Sequence, residues 1–339
     1  MQHHGGDRST RREQREPKMG DRLLGVLGLG ALGQAVAGLA ASTGSRVVAW
    51  SRGQSAGTNP RTLPAGIEVL DSATEVVQTA RLVFFALPPW SVSEVLAQVG
   101  DVARGDHYWI HGCKGSTAEG ELVHEVFRAR SCVKQIGAIG GPVLASELNR
   151  RGPGGLVMAS PFDCVLDALG ACLSTKEQQL FRSHDIVGVQ LAGAMRNVIS
   201  VAAGLADGLG ESARSAVLAR GLIETARLGK ALGAEPATFV GIAGVGDLIA
   251  RRESSSSRNY QLGERCARGE VALAVLEDLG AVEGAVTARA LSRRAEELGV
   301  KVPLATGVAR VLDDLEPPRE MIQALLGSDP GLGARDSLV

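Results

Sequence analysis

The sequence has almost no excess of charge: 36 Lys and Arg against 37 Asp and Glu leave a net charge of −1 over 339 residues. That removes the electrostatic ground for nucleic acid or an anionic membrane surface as partner and points to a small-molecule ligand. No apolar run reaches the roughly 20 residues that a membrane-spanning helix needs, and residues 1–20 lack the apolar core of a signal peptide. A cytoplasmic protein without a membrane partner is expected. The cysteines Cys113, Cys132, Cys164, Cys172 and Cys266 are odd in number and scattered, without the spacing of a zinc site or a disulfide framework. They read as reduced and structural. His3 and His4 fall in a polar leader, residues 1–20, that reads as disordered, so no metal is expected. No internal repeat is present.

What is there, 45% hydrophobic and 22% charged residues, is ordinary for a globular protein, and the length suits two domains that each bury a core. The first folded segment reads as a strand over 23–27, a glycine turn, a small-residue helix over 34–42 and a strand over 46–50. Further strands are expected at 82–87, which stops at Pro88 and Pro89, at 108–110 and at 155–159, with a helix over 92–99. Strands with little alternation and helices between them imply an α/β domain with a mostly parallel sheet covered on both faces. After about Gln190 the chain turns to alanine- and leucine-rich segments of helical spacing, at 212–232, 286–298 and 306–315. The expected organisation is a dinucleotide-binding domain over 21–188, an all-helical substrate and catalytic domain over 189–327 and a frayed tail over 328–339.

Gly28, Gly30 and Gly33 form G-x-G-x-x-G directly after a strand and at the start of a helix. The first glycine permits the turn, the second lets a pyrophosphate approach the backbone, and the third lets helix and strand pack closely. The phosphates then meet unpaired amides at the helix N-terminus. The second strand ends in Trp50, Ser51 and Arg52 rather than in the acid that bonds a ribose 2′-hydroxyl. Ser51 and Arg52 suit a 2′-phosphate, so NADP(H) is favoured and NAD(H) left open, unless Arg52 merely faces solvent.

Other polar marks lie far apart. Arg196 and Asn197 interrupt a small, apolar helical run and need either each other or a ligand. Asp247 follows a glycine-rich turn at a helix start, where its local role is an N-cap. Ser257, Arg258 and Asn259 read either as a solvated loop or as a phosphate site, with a guanidinium fork and helix-terminal amides.

Taken in order, the stretches 187–198, 203–210, 220–222, 238–249, 257–259 and 282–284 resemble the NAD(P)-dependent glycerol-3-phosphate dehydrogenases of the bacterial type, with the likeness running from about residue 21 to 315. The resemblance implies a Rossmann domain, a helical domain and a cleft between them in which dihydroxyacetone phosphate and sn-glycerol 3-phosphate interconvert by hydride transfer at C2. Carried over by position, Lys114 contacts substrate and cofactor and Gly141 lines the substrate site. Asp247 belongs to the catalytic cluster with Arg196 and Asn197, and Ser257, Arg258 and Asn259 hold the phosphate. Gly28, Leu29, Gly30, Ala31, Leu32, Gly33, Ser51, Arg52, Pro88, Lys114, Ala145, Arg258 and Glu283 are the expected cofactor contacts. A homodimer is the modest expectation that the family carries.

The family's acid-base lysine falls on Arg196, and Arg251 stands where a threonine is usual beside the substrate. Val143 and Leu144 replace a serine-phenylalanine pair, Ala31 and Leu32 a serine and an aromatic residue, and Ser212 an asparagine. An arginine does not release a proton at ordinary pH, so Lys114 becomes the candidate acid and Arg196 a clamp for the oxyanion and phosphate. Two alternatives stand beside that reading: reduction of another phosphorylated or phosphonate ketone, favoured by the added guanidinium groups at 196 and 251, and a non-catalytic NADP(H)-binding protein.

Overall fold

A computed structural model describes residues 22–52, 63–142, 148, 154–250 and 257–328. Eight strands form one sheet in the order β3-β2-β1-β4-β5-β6-β7-β8: β1 Leu23–Leu27, β2 Arg46–Trp50, β3 Ile67–Val69, β4 Leu82–Phe85, β5 Tyr108–His111, β6 Gln135–Gly140, β7 Gly154–Ala159 and β8 Gln178–Ser183. All neighbours run parallel except β6 and β7, whose antiparallel register sets Ile139 opposite Met158. Leu24 and Val26 of β1 and Leu82 and Phe84 of β4 point into one apolar core, while Leu27, Val83 and Phe85 point into the other. Two covered faces explain the near-continuous apolar strands.

Three strands exceed the expectation from sequence. β6 carries two glycines and an alanine, β8 is a polar edge strand with two glutamines, and β3 is three residues long. None has the run of β-branched residues that marks a strand locally.

The helical half is organised on Ile186–Leu205, which is buried at almost every position. It is long and apolar enough to cross a membrane by those measures, contrary to the expectation of no such run, but 89% of its apolar window is buried inside the protein. Asp185 opens it: its carboxylate accepts from the Gly188 amide at 2.7 Å, the Glu235 amide at 2.9 Å and the Thr238 hydroxyl at 2.6 Å. That fixes the segment leading to Asp247. The helix Arg258–Ala267 crosses Ile186–Leu205 at backbone contact, since a Cβ on Gly204 would lie 2.2 Å from the Tyr260 carbonyl oxygen and one on Gly263 would lie 2.0 Å from that of Val201. This approach sets residues 257–259 over Arg196 and Asn197.

Candidate active site

The three glycines of the turn have three different surroundings. Gly28 adopts φ +99°, and a Cβ on Gly33 would lie 1.9 Å from the Gly28 carbonyl oxygen. At Gly30 a Cβ would meet nothing within 4 Å. Gly30 is also the N-cap of Ala31–Ser42 and supplies no side-chain cap. An open backbone at an uncapped helix N-terminus fits the pyrophosphate of a dinucleotide. The adjoining cleft, 490 Å³, is lined by Gly30, Ala31, Leu32, Pro88, Lys114 and Glu283 among others. Leu29 borders the turn with its backbone and buries its side chain.

Beyond the second strand Ser51 is half-buried and Arg52 exposed. The Arg52 guanidinium lies over the helix Pro89–Val99, 3.4 Å from the Glu94 carboxylate and donating to the Ser91 hydroxyl at 3.4 Å. Ala145 and Arg251, expected at cofactor and substrate, lie outside the described residues, as do Val143 and Leu144.

A second space of 180 Å³ is lined by Lys114, Arg196, Asn197, Ser257, Arg258 and Asn259 and shares Lys114, Arg258 and Glu283 with the cofactor cleft. Lys114 donates to Asp247 at 2.5 Å and to the Gly141 carbonyl at 2.8 Å. Arg196 Nε is 3.9 Å from the other Asp247 oxygen. Asp247 follows the π turn Ile242–Gly246 and begins the helix Asp247–Ala250. Its side chain faces two cations, so the N-cap role that its local sequence suggests is not the one it has.

Asn197 ties the walls together. Its amide nitrogen donates to the Lys114 carbonyl at 2.5 Å and to Glu283 at 2.8 Å, and its oxygen accepts from Arg196 at 3.0 Å and Asn259 at 2.9 Å. Asn259 in turn accepts from the Gly284 amide at 2.9 Å. Every hydrogen-bonding capacity of the Asn197 side chain is engaged. Ser257 caps its helix, accepting from the Tyr260 amide, and stands 3.5 Å from the Ser200 hydroxyl. Arg258 is exposed at that helix N-terminus, where a guanidinium and backbone amides are available to an anion.

Burial raises the Glu283 carboxyl above its ordinary range, opposed by the Asn197 hydrogen bond and by Arg258, Lys114 and Arg196. Burial, reinforced by Glu283, likewise pushes the Cys113 thiol up. It donates to the Leu87 carbonyl at 2.9 Å and is no nucleophile. Among the described residues no group of three or more His, Cys, Asp or Glu could hold a metal ion. Sequence reasoning passed over Asp185 and Ser200, whose roles depend on partners far away in the chain.

A half-buried amine, two guanidinium groups and two carboxyl groups around a small polar space beside a dinucleotide cleft can bind an anionic ketone, stabilise an alkoxide and deliver a proton. The family descriptions "NAD-dependent glycerol-3-phosphate dehydrogenase N-terminus" and "C-terminus" match residues 24–163 and 185–323. A glycerol-3-phosphate dehydrogenase [NAD(P)+] of Alcanivorax borkumensis is 35% identical over 324 residues, covering 90% of this chain and 93% of the relative. One from Symbiobacterium thermophilum is 35% identical over 319 residues, covering 89% and 93%. The crystal structure of glycerol-3-phosphate dehydrogenase from Coxiella burnetii superposes with a TM-score of 0.83 at 26% identity, covering 91% of this chain and 99% of that one.

Proposed function

The chain belongs to the NAD-dependent glycerol-3-phosphate dehydrogenase family, and from that premise we propose that it reduces dihydroxyacetone phosphate to sn-glycerol 3-phosphate, reversibly, with NADPH or NADH. The observation that carries the chemistry is Lys114, the one amine among the described residues that line both the cofactor cleft and the polar space.

A reduced nicotinamide, when bound, supplies the hydride that the C2 carbon takes. The protein must hold the phosphate, stabilise the developing alkoxide and protonate it. Arg258, Asn259 and the helix N-terminus that Ser257 caps take the phosphate. Lys114, held at 2.5 Å by Asp247, donates the proton to the C2 oxygen, a contribution of about 10²–10⁴-fold for general acid catalysis. Arg196, fixed by Asn197 and Asp247, faces the same oxygen as a permanent positive donor and supplies electrostatic stabilisation. Asn197 positions Lys114, Arg196 and Glu283 rather than reacting. The lysine-to-arginine change thus separates two duties that one lysine holds in the family: proton transfer passes to Lys114 and charge stabilisation stays at Arg196. A homodimer, from the family resemblance, and a cytoplasmic location, from the sequence reading, belong to the same proposal.

The test is NADPH oxidation by the purified protein with dihydroxyacetone phosphate. Turnover on the order of 1 per second or faster is expected. Tight NADPH binding without turnover of any keto phosphate refutes the proposal and leaves a non-catalytic nucleotide-binding protein.

A further inference from the structure

The roomiest space beside the site is neither of the two just described. A cavity of 840 Å³ lies between the helices Ile186–Leu205 and Glu211–Ala231 and the segment carrying Val245 and Leu248, against 490 Å³ for the cofactor cleft and 180 Å³ for the polar space. Arg196 is its partition, for its buried side chain lines both this cavity and the polar space. Ser200, one helical turn on, lines the cavity as well and reaches the Ser257 hydroxyl at 3.5 Å. The two spaces therefore meet along one helix face.

The wall of the cavity has a definite chemistry. Leu218, Leu222, Val245 and Leu248 give it apolar sides and Ala219 gives it room. The charges at its edge are committed to each other, with Arg214 at 2.5 Å from Glu211 and 3.8 Å from Asp207. Among the described lining residues Arg196 is also held by Asn197 and Asp247, and an uncharged chain would displace water from the apolar sides. With the phosphate at residues 257–259 and the carbonyl between Lys114 and Arg196, the cavity on the other side of Arg196 is the space offered to a substituent on the remaining carbon, C1.

We infer that the protein takes ketone phosphates larger than dihydroxyacetone phosphate, with an uncharged substituent such as a short alkyl ether on the C1 oxygen lying in this cavity. The inference rests on the reductase function proposed above. The reaction is unchanged: C2 gains a hydride from the reduced nicotinamide, which becomes oxidised, and the C2 oxygen gains a proton from Lys114, giving the secondary alcohol.

The experiment compares 1-O-butyl-dihydroxyacetone phosphate with dihydroxyacetone phosphate in the full-length protein with NADPH. Each buried methylene is worth about threefold to fourfold, so kcat/KM for the butyl ether should be higher by about tenfold or more. Ala219→Phe, at an exposed lining position, should bring that ratio close to one, with folding checked by thermal melting. Calorimetry should show 1-O-butyl-glycerol 3-phosphate binding more tightly than glycerol 3-phosphate to the parent protein and losing that advantage in the variant. Good turnover of dihydroxyacetone phosphate with no preference for the ether, or a preference that Ala219→Phe leaves intact, overturns the inference alone. Turnover of neither ketone overturns the reductase reading and the inference with it.

Discussion

Lys114 and Asp247 meet at 2.5 Å across 133 positions of sequence, in a pair whose carboxylate is almost wholly buried. The pair joins the end of the sheet to the helical half, and it places the Lys114 ammonium group near a guanidinium that cannot titrate. Lys114→Ala and Lys114→Arg should each lower kcat by about 10²–10⁴-fold. Arg196→Lys should lower kcat/KM by about tenfold, because a compact ammonium replaces a planar fork held by Asn197 and Asp247. Steady-state kinetics decide both. A large gain in Arg196→Lys, or near-normal activity in Lys114→Ala, removes Lys114 from the role of proton donor.

The glycine turn separates folding from ligand binding. Gly33→Ala pushes a methyl group against the Gly28 carbonyl oxygen, 1.9 Å away as built, and should lower the melting temperature and abolish NADPH binding together. At Gly30 the methyl group enters open space, so Gly30→Ala should melt like the parent yet bind NADPH about tenfold more weakly, since that space is the phosphate's approach. Fluorescence titration of NADPH beside a melting curve checks both. Unchanged affinity in Gly30→Ala means that the phosphates lie elsewhere.

Cofactor preference should turn on Glu94 as well as on Arg52. The exposed ion pair at 3.4 Å holds Arg52 in competition with a 2′-phosphate. Exposed pairs are worth up to about 1 kcal/mol, so Glu94→Gln should raise the NADPH-to-NADH ratio of kcat/KM about twofold to fivefold, and Arg52→Ala should lower it. A ratio that neither substitution moves would assign the choice of cofactor to other residues.

Glu224 makes stability depend on pH. Both its oxygens accept amides at the start of Pro303–Leu312, from Leu304 at 2.7 Å and Ala305 at 2.8 Å, in a site that leaves it 2% exposed. Burial raises its carboxyl from 4.5 to about 7. The folded state therefore holds the proton over a pH range in which the unfolded chain has released it. The contribution of Glu224 to stability is greatest below about 4.5, declines as pH rises toward 7 and is level above. Urea denaturation across that range should show a loss of roughly 2–3 kcal/mol in the parent, absent from Glu224→Gln. Parallel profiles for the two proteins would contradict it.

What could be read locally was what a few neighbouring residues decide. The glycine turn, the strands at 23–27 and 46–50 and the long helices each follow from spacing and apolar period, and the Lys114, Asp247 and Asn259 positions were legible by family resemblance. β6 and β8 were not, because their pairing compensates for glycine and glutamine that disfavour strands on their own.

The sequence by itself determined that the chain has a dinucleotide turn and that an arginine stands at position 196, since both depend on residue type and short spacing. Only the tertiary structure decided that Lys114 shares Asp247 with that arginine, that Asn197 has no hydrogen-bonding capacity left over, and that Arg196 divides a small polar space from a larger one of mixed, more apolar lining. Each of those facts is a distance between segments far apart in the chain, and such distances are fixed by how helices cross and which side chains fill the space between them.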